Sequence, residues 1–512
     1  MHLKALKHYH LVNFFNKEAF GTVAKWLPYG IMILFGCIYL TIVICNHYFF
    51  RTVAFDYGAY NFAFNDFAHL RVSDSPVYQR EHMSFLQDHV SFTLILFIPL
   101  FWLLSWITGT YTLLLIQTFL IIYGAWAVYK LVKLKTNSEL LSLLALLQYS
   151  LLLGRWTSFT SDCNLAIIAS SMIPVFLLYF YRKKLVWTMG VFIFILASRE
   201  DMAIWMAFIG IFLLVSNYKD KWSRYLATGI ILGSTAYFIA VFSVIIPLLE
   251  TPFKKFSLFN YTALGSGPLE ALVFILKHPF ETIKLLFVNT SGDPVFDHLK
   301  SEFYIYYLVC GGFLLFFRPK YLLLFIPILA KKMLNDDPTR WSNQLYYSIE
   351  FVSILPIAVF LIISEFKSKT IRSILTGTVC FTTLAFTIHM IQSDNRKMSW
   401  WGDNKFAFYK SSMYKADFDV KKINNYLKLI PADAKVSATA HVLPHLAFRS
   451  KIYYFPRVDD ADYLVGFLKN DNYPLDEKQF PVELRKYLNG YDWKYKIYDY
   501  PFFMAERIKK RL

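Results

Sequence analysis

Apolar residues along this chain fall into long runs separated by short charged turns. A helix needs about 20 apolar residues to cross a bilayer, fewer inside a bundle. On that rule the pattern predicts eleven spans, near 27–49, 110–129, 138–154, 163–181, 185–198, 202–216, 225–248, 302–317, 321–334, 349–365 and 372–391. A polar segment, 51–90, follows the first span, and an apolar stretch, 91–106, precedes the second. A third long segment, 250–301, holds an apolar stretch at 269–288 broken by His278-Pro279. It reads as an amphipathic helix lying on the membrane. The first apolar run is too long for the core of a cleavable leader and reads as a signal anchor.

The pattern changes after residue 394. Short β-like runs (Lys435–Ala438, Lys451–Phe455, Tyr463–Phe467, Lys494–Tyr498) alternate with helix-like pieces (Asp419–Leu429, Pro481–Leu488). That alternation predicts a small soluble α/β domain over 395–512 behind a helical membrane domain over 1–394. No glycine-rich phosphate loop accompanies it.

Charge adds direction. Basic residues collect in cytoplasmic loops. Lys4, Lys7, Lys17 and Lys25 precede the first span, which puts the N-terminus in the cytoplasm. The later clusters are Lys130/Lys133/Lys135, Arg182/Lys183/Lys184, Lys219/Lys221/Arg224, Arg318/Lys320 and Lys367/Lys369/Arg372. All fall on one side only if 91–106 does not cross, so that stretch reads as a juxtamembrane or re-entrant helix on the outer face. The soluble domain then lies outside the cytoplasm, and the protein is expected in an inner or plasma membrane.

Composition agrees. Of 512 residues 56% are hydrophobic and 17% charged, below the roughly 25% charged of soluble domains. Phe (50) and Tyr (35) suit lipid-facing helices with aromatic belts. The net charge of +17 is accounted for by cytoplasmic loops and anionic headgroups. No basic stripe on a soluble helix points to nucleic acid. The five Cys sit in or beside apolar runs, without metal or disulfide spacing.

Ionisable residues near membrane depth are functional candidates, and here they gather at outer turns. Asp56 follows the first span, and a partly desolvated carboxylate there can serve as a general base. Asp88-His89, just before 91–106, offers ligands for a divalent metal such as Mg²⁺ or Mn²⁺, or a phosphate contact. Arg155 and Asp162 flank the next turn. Arg199-Glu200-Asp201 packs three charges between two spans, and an Arg there can grip a phosphate bidentately. Asp336-Asp337-Pro338 is followed by Arg340, Gln344 and Tyr347 at the mouth of another span. His441 and His445 lie four apart in the tail, but Pro444 between them speaks against a shared metal.

Phe55-Asp56-Tyr57-Gly58, Asp88-His89-Val90-Ser91 and Arg199-Glu200-Asp201-Met202-Ala203, in that order, resemble the motifs of the DUF2079 family of membrane proteins. The tail, from Pro444-His445-Leu446 through Tyr453-Tyr454-Phe455-Pro456 to Asp460-Ala461-Asp462-Tyr463, is similar to that family's ending. The likeness covers about 50–470. Two departures stand out. Thr160-Ser161-Asp162-Cys163-Asn164 lacks the His and Glu of the family's usual stretch, which weakens a metal role there, and Arg199 replaces a Lys.

The family's layout is in turn similar to the GT-C glycosyltransferases, which use polyprenyl-phosphate sugars. The resemblance implies transfer of a hexose or pentose to an acceptor at the outer face. Asp56 would deprotonate the acceptor hydroxyl, with inversion at the anomeric carbon. Arg199 would stabilise the departing phosphate, with Arg155 or a metal at Asp88/His89. Arg155, Asp162, Glu200, Asp201, Gln344 and Tyr347 would complete the substrate contacts. A transporter or flippase for a lipid-linked or anionic solute, and a non-enzymatic scaffold, are the alternatives. The concentration of charge at span ends rather than mid-membrane counts against transport.

Overall fold

A computed structural model of the protein describes residues 17–71, 77, 84–250, 259–393, 405–469, 471–489 and 492–508. Lys4 and Lys7 and the expected domain boundary at 394/395 lie outside the described residues.

Four helices among these are long and apolar enough to cross a bilayer: Lys25–Tyr48, Ile98–Thr136, Lys221–Leu249 and Lys369–Gln392. A fifth candidate is the pair Glu139–Leu151 and Leu153–Ser161, bent by 46° at Leu152. Leu165–Tyr181, Leu185–Ser198 and Met202–Ser216 are apolar but shorter. Ile349–Glu365 packs at the centre, with nearly every side chain buried. Eleven continuous spans are therefore not what the helices display.

The physical reasons are local. The expected spans 302–317 and 321–334 are broken. Helix Asp297–Val309 ends at Gly311, whose φ of +108° suits glycine, and 3₁₀ turns at Gly312–Phe317 and Pro319–Leu324 follow. Pro319 and Pro327 each remove an N–H that a continuing helix would need. The apolar stretch 91–106 holds the helices Thr93–Leu96 and Ile98–Thr108. Gly109 leaves helical backbone at φ +52°, and after a turn at Gly109–Tyr111 the next helix, Thr112–Thr136, begins.

The expected amphipathic helix in 250–301 is two short helices, Pro268–Lys277 and Pro279–Leu285, meeting at His278. Leu276 (72%) and Phe280 (87%) stand exposed on it, as a membrane-surface element requires.

The segment after the first span is not an open polar loop. Residues Ala59–Ala68 form a helix in which every residue is buried, because Phe62, Phe64 and Phe67 pack inward between the bundle and the C-terminal domain. That domain is built on a five-stranded sheet: β1 (Val436–Ala438), β2 (Ile452–Tyr454), β3 (Tyr463–Phe467), β4 (Trp493–Asp499) and β5 (Phe502–Arg507), in the order β2-β1-β3-β5-β4. β2, β1 and β3 are parallel, and β5 and β4 are antiparallel additions.

The carboxyl ends of the parallel strands face the first outer segment. Ala54 N donates to Ala440 O at 2.8 Å, and His445 stacks on His47 at 4.1 Å and on Phe50 at 3.9 Å. Burial keeps His445 neutral, well below the ordinary histidine range. Arg51 fastens the seam by donating to the carbonyls of Ser412, Met413 and Lys415, each at 2.8 Å. A Cβ on Gly58 would come within 2.5 Å of Leu443, itself fully buried, so only glycine permits the close approach here.

Candidate functional site

Asp56 lies in a wide helical turn, Ala54–Gly58, continuous with helix Ala59–Ala68. Single wide turns of this type recur at functional sites. The carboxylate is half-buried and accepts no hydrogen bond from the described residues. Burial pushes it up to about 7; the nearby Asp162 carboxylate adds to the rise and Lys405 opposes it. Asp56 is thus poised to gain or lose a proton near neutrality.

Asp162 is spent differently. Its left-handed backbone (φ +51°) turns a fully buried side chain toward the seam. Oδ1 pairs with Lys405 Nζ at 3.0 Å, and Oδ2 accepts from Val53 N at 3.0 Å. Gln117 Nε2 donates to its carbonyl at 2.9 Å, so Asp162 ties the first outer segment, the bundle and the approach to the soluble domain together.

A small recess is lined by Arg199, Lys331, Lys332, Arg340, Tyr346, Tyr347 and Glu350. Four basic side chains face one carboxylate there. Their positions follow from local sequence. Arg199 sits in extended backbone in the break between Leu185–Ser198 and Met202–Ser216. Lys331 and Lys332 occupy the last turn of helix Ile326–Met333, where cations complement the helix dipole. Asp337 caps the short helix Pro338–Trp341 and so sets Arg340.

Asp201 accepts from Lys331 Nζ at 2.9 Å and lies 3.3 Å from Arg199 Nε, and Lys331 also pairs with Glu350. Burial alone would raise the Asp201 carboxyl, but Arg199 and Lys331 overcome it and hold it below the ordinary range. Lys332 donates to the carbonyls of Arg340, Ser342 and Tyr347 and so clamps the 340–347 loop. The Arg340 guanidinium lies 5.4 Å over the Tyr347 ring, and its Nε has no hydrogen-bond partner.

The structure joins the two halves through tyrosines. Tyr347, in the recess wall, lies within the field of Asp56. Tyr60, one turn beyond Asp56, lies within the fields of Arg199, Tyr346 and Asp88. His89 Nδ1 faces Glu200 Oε1 at 3.3 Å, and its Nε2 faces Asp88 Oδ2 at 3.7 Å. Asp88, His89, Arg199, Glu200 and Asp201 therefore form one cluster, with Asp56 and Tyr347 within electrostatic reach of each other nearby.

Gln344 is buried in the loop that Lys332 clamps, with its Nε2 unpartnered. Arg155 is placed elsewhere. It is fully buried, lies 4.6 Å over the Tyr149 ring and is close to Tyr39, and no hydrogen-bond partner meets its guanidinium.

Among the described residues no three His, Cys, Asp or Glu side chains form a metal-holding group. Both ring nitrogens of His89 are turned to carboxylates of its own cluster, so the donor set does not fit Mg²⁺ or Mn²⁺ held at Asp88/His89.

Lys331, Lys332, Glu350 and Lys405 were not singled out from the sequence. Lys331-Lys332 carried a signal: a lysine pair at the outer end of an apolar run runs against the positive-inside rule. Lys405 carried none, since its partner lies 243 residues away.

These features define a mostly helical membrane protein with a cluster of ionisable groups beside a small C-terminal sheet. Residues 46–482 match the DUF2079 family, described as a predicted membrane protein, and the chain belongs to that family. No curated protein matches it.

Proposed function

We propose that the protein is a GT-C-like glycosyltransferase that moves a sugar from a polyprenyl-phosphate donor to an acceptor at the outer face. The supporting observation is Asp56: a carboxylate that accepts no hydrogen bond among the described residues, raised by burial to about 7, within the field of Tyr347 of a recess with four basic side chains. The reading carries with it eleven crossings, a cytoplasmic N-terminus, an extracytoplasmic C-terminal domain and residence in an inner or plasma membrane.

The donor phosphate would enter the recess from the bilayer, and Arg199 and Arg340 would hold it. The acceptor oxygen attacks the anomeric carbon from the face opposite the phosphate. The new C–O bond forms as the bond to phosphate oxygen breaks. The acceptor proton passes to the Asp56 carboxylate, and the polyprenyl phosphate departs with the bonding electron pair into the cationic recess. The anomeric centre inverts. A charged pocket preset for the leaving phosphate stabilises the transition state without reorganisation. Asp162 acts through Asp56 rather than on substrate, because its own oxygens are engaged.

The test is release of polyprenyl phosphate by the purified protein in vesicles carrying polyprenyl-phosphate hexoses or pentoses. Asp56→Asn should abolish release while leaving the unfolding temperature unchanged. Near-normal release from that variant would remove Asp56 as the base.

A further inference from the structure

The arm of residues 259–288 is apolar on two faces. Helix Pro268–Lys277 packs Ala271, Phe274 and Ile275, spaced i, i+3 and i+4, with Leu264, Ala330 and Leu334. At about 100° per residue, Leu269, Leu272 and Leu276 fall on the opposite side of that helix. Phe280, Ile283 and Phe287 continue the apolar sequence past the break at His278. All six stand more than half exposed. A helix that is apolar all round belongs in a core or in lipid.

Charge narrows the choice of what covers them. The arm has two acids, and both are engaged within it. Glu270 Oε2 accepts from Ser266 N at 2.8 Å and from Ser266 Oγ at 2.9 Å, and Glu281 faces His278 at 3.7 Å. The arm's two lysines, Lys277 and Lys284, have no acidic partner among the described residues. Ammonium groups beside exposed apolar side chains match anionic headgroups above acyl chains. A second copy would bring the same lysines to the same face, where like charges repel.

Both roots of the arm reach segments that line the recess. At the first, Tyr261 Oη donates to the Lys331 carbonyl at 3.1 Å, Thr262 N donates to Asp336 Oδ1 at 3.0 Å, and Asp336 N donates to the Asn260 carbonyl at 2.9 Å. At the second, Lys300 Nζ donates to the carbonyls of Leu285 at 2.7 Å and Val288 at 2.8 Å. The same ammonium lies 4.3 Å over the ring of Trp341, the residue after Arg340.

We propose that this arm docks its exposed apolar side chains into a bilayer surface of anionic phospholipid, and that the docked arm braces the recess through Tyr261 and Lys300. The proposal rests on the membrane class of the chain and not on the glycosyltransferase reading, so it stands or falls without a donor.

The experiment uses the full chain in nanodiscs of equal phosphatidylglycerol and phosphatidylcholine. The photoreactive p-benzoylphenylalanine is placed at Leu276, at Phe280 or, as the inward control, at Phe274. After irradiation, intact mass should show phospholipid adducts at 276 and 280, enriched in phosphatidylglycerol, and far fewer at 274. The enrichment should vanish in Lys277→Gln/Lys284→Gln. In Leu276→Asp/Phe280→Asp, amide exchange over 331–347 should run at least about threefold faster, with the C-terminal sheet unchanged. Should exchange in the sheet rise too, Tyr261→Phe, which removes only the bond to Lys331, is read in its place and should speed exchange over 331–336. Four results overturn the proposal: no lipid adduct at 276 and 280, crosslinks to a second chain in their place, equal labelling at 274, or unchanged exchange over 331–347. Enrichment that survives loss of both lysines overturns the anionic partner.

Discussion

Two buried charge clusters flank Asp56, and they are built on opposite rules. Asp162 and Lys405 are a closed pair: one carboxylate, one ammonium, 3.0 Å apart, with the second carboxylate oxygen taken by Val53 N. The Arg199–Lys331–Lys332–Arg340 recess is open: four basic side chains line it against Glu350, with Asp201 behind, and Arg340 Nε reaches Asp337 only at 3.9 Å. A buried charge that lacks a partner is costly unless something supplies one. The closed pair is complete within the chain and serves the fold. In the open cluster Asp201 and Glu350 are shared among several basic groups, which leaves it less evenly balanced. Similar charges at similar depth thus separate into support and site by how well they are balanced.

The sharpest way to break that contrast is to unbalance the closed pair. Lys405→Ala leaves Asp162 buried without its cation and should cost about 3–5 kcal/mol of stability. Thermal or denaturant unfolding in detergent checks it; a loss under about 1 kcal/mol would mean the pair is not structural. The open cluster should respond more weakly. Arg199→Gln leaves Asp201 with Lys331 and Arg340→Gln takes the cation from the more exposed Asp337, so unfolding temperature should fall by less than in Lys405→Ala. Transfer should fall about 10²–10³-fold, as for loss of one transition-state contact.

Asp162→Asn probes the link between the two clusters. Transfer needs ionised Asp56, so activity should rise with pH through about 7. The amide introduced at this position still accepts from Val53 N but no longer places a like charge beside Asp56, so the rising limb should move to lower pH. A pH–rate profile reads the shift, and an unmoved limb would detach Asp162 from Asp56. The smallest effect belongs to the exposed pair Arg318–Glu365, 2.5 Å apart at the surface. Arg318→Gln should change stability by under about 1 kcal/mol and leave transfer alone.

The same contrast explains what was legible in the sequence. Membrane class and the outer charges could be read, because long apolar runs and charges at their ends are local patterns. Asp56, Asp88, His89, Arg199 and Tyr347 were placed at a common mouth from sidedness alone. The recess was only half visible. Its lysines sit on Ile326–Met333, within an apolar run that proline and glycine break into short turns. A hydropathy count reads such a run as a span, and its end as an anchor.

Lys405 could not be placed because its meaning depends on a partner far away in sequence. β5 was missed for another reason. Phe502–Ala505 is buried throughout between β3 and β4, so it lacks the alternation that marks a half-buried strand. The burial of Ala59–Ala68 was hidden likewise, since its asparagines and Asp66 are polar in sequence yet buried, Asn61 on the Thr110 carbonyl and Asp66 against Arg71.

The measurement nearest the central claim is decaprenyl phosphate binding to the purified protein in nanodiscs, followed by native mass spectrometry. The wild type and Asp56→Asn should both retain the lipid, and Arg199→Gln/Arg340→Gln should lose it by at least about tenfold. No binding to the wild type, or equal retention by the double variant, would contradict an outer recess made for a lipid phosphate.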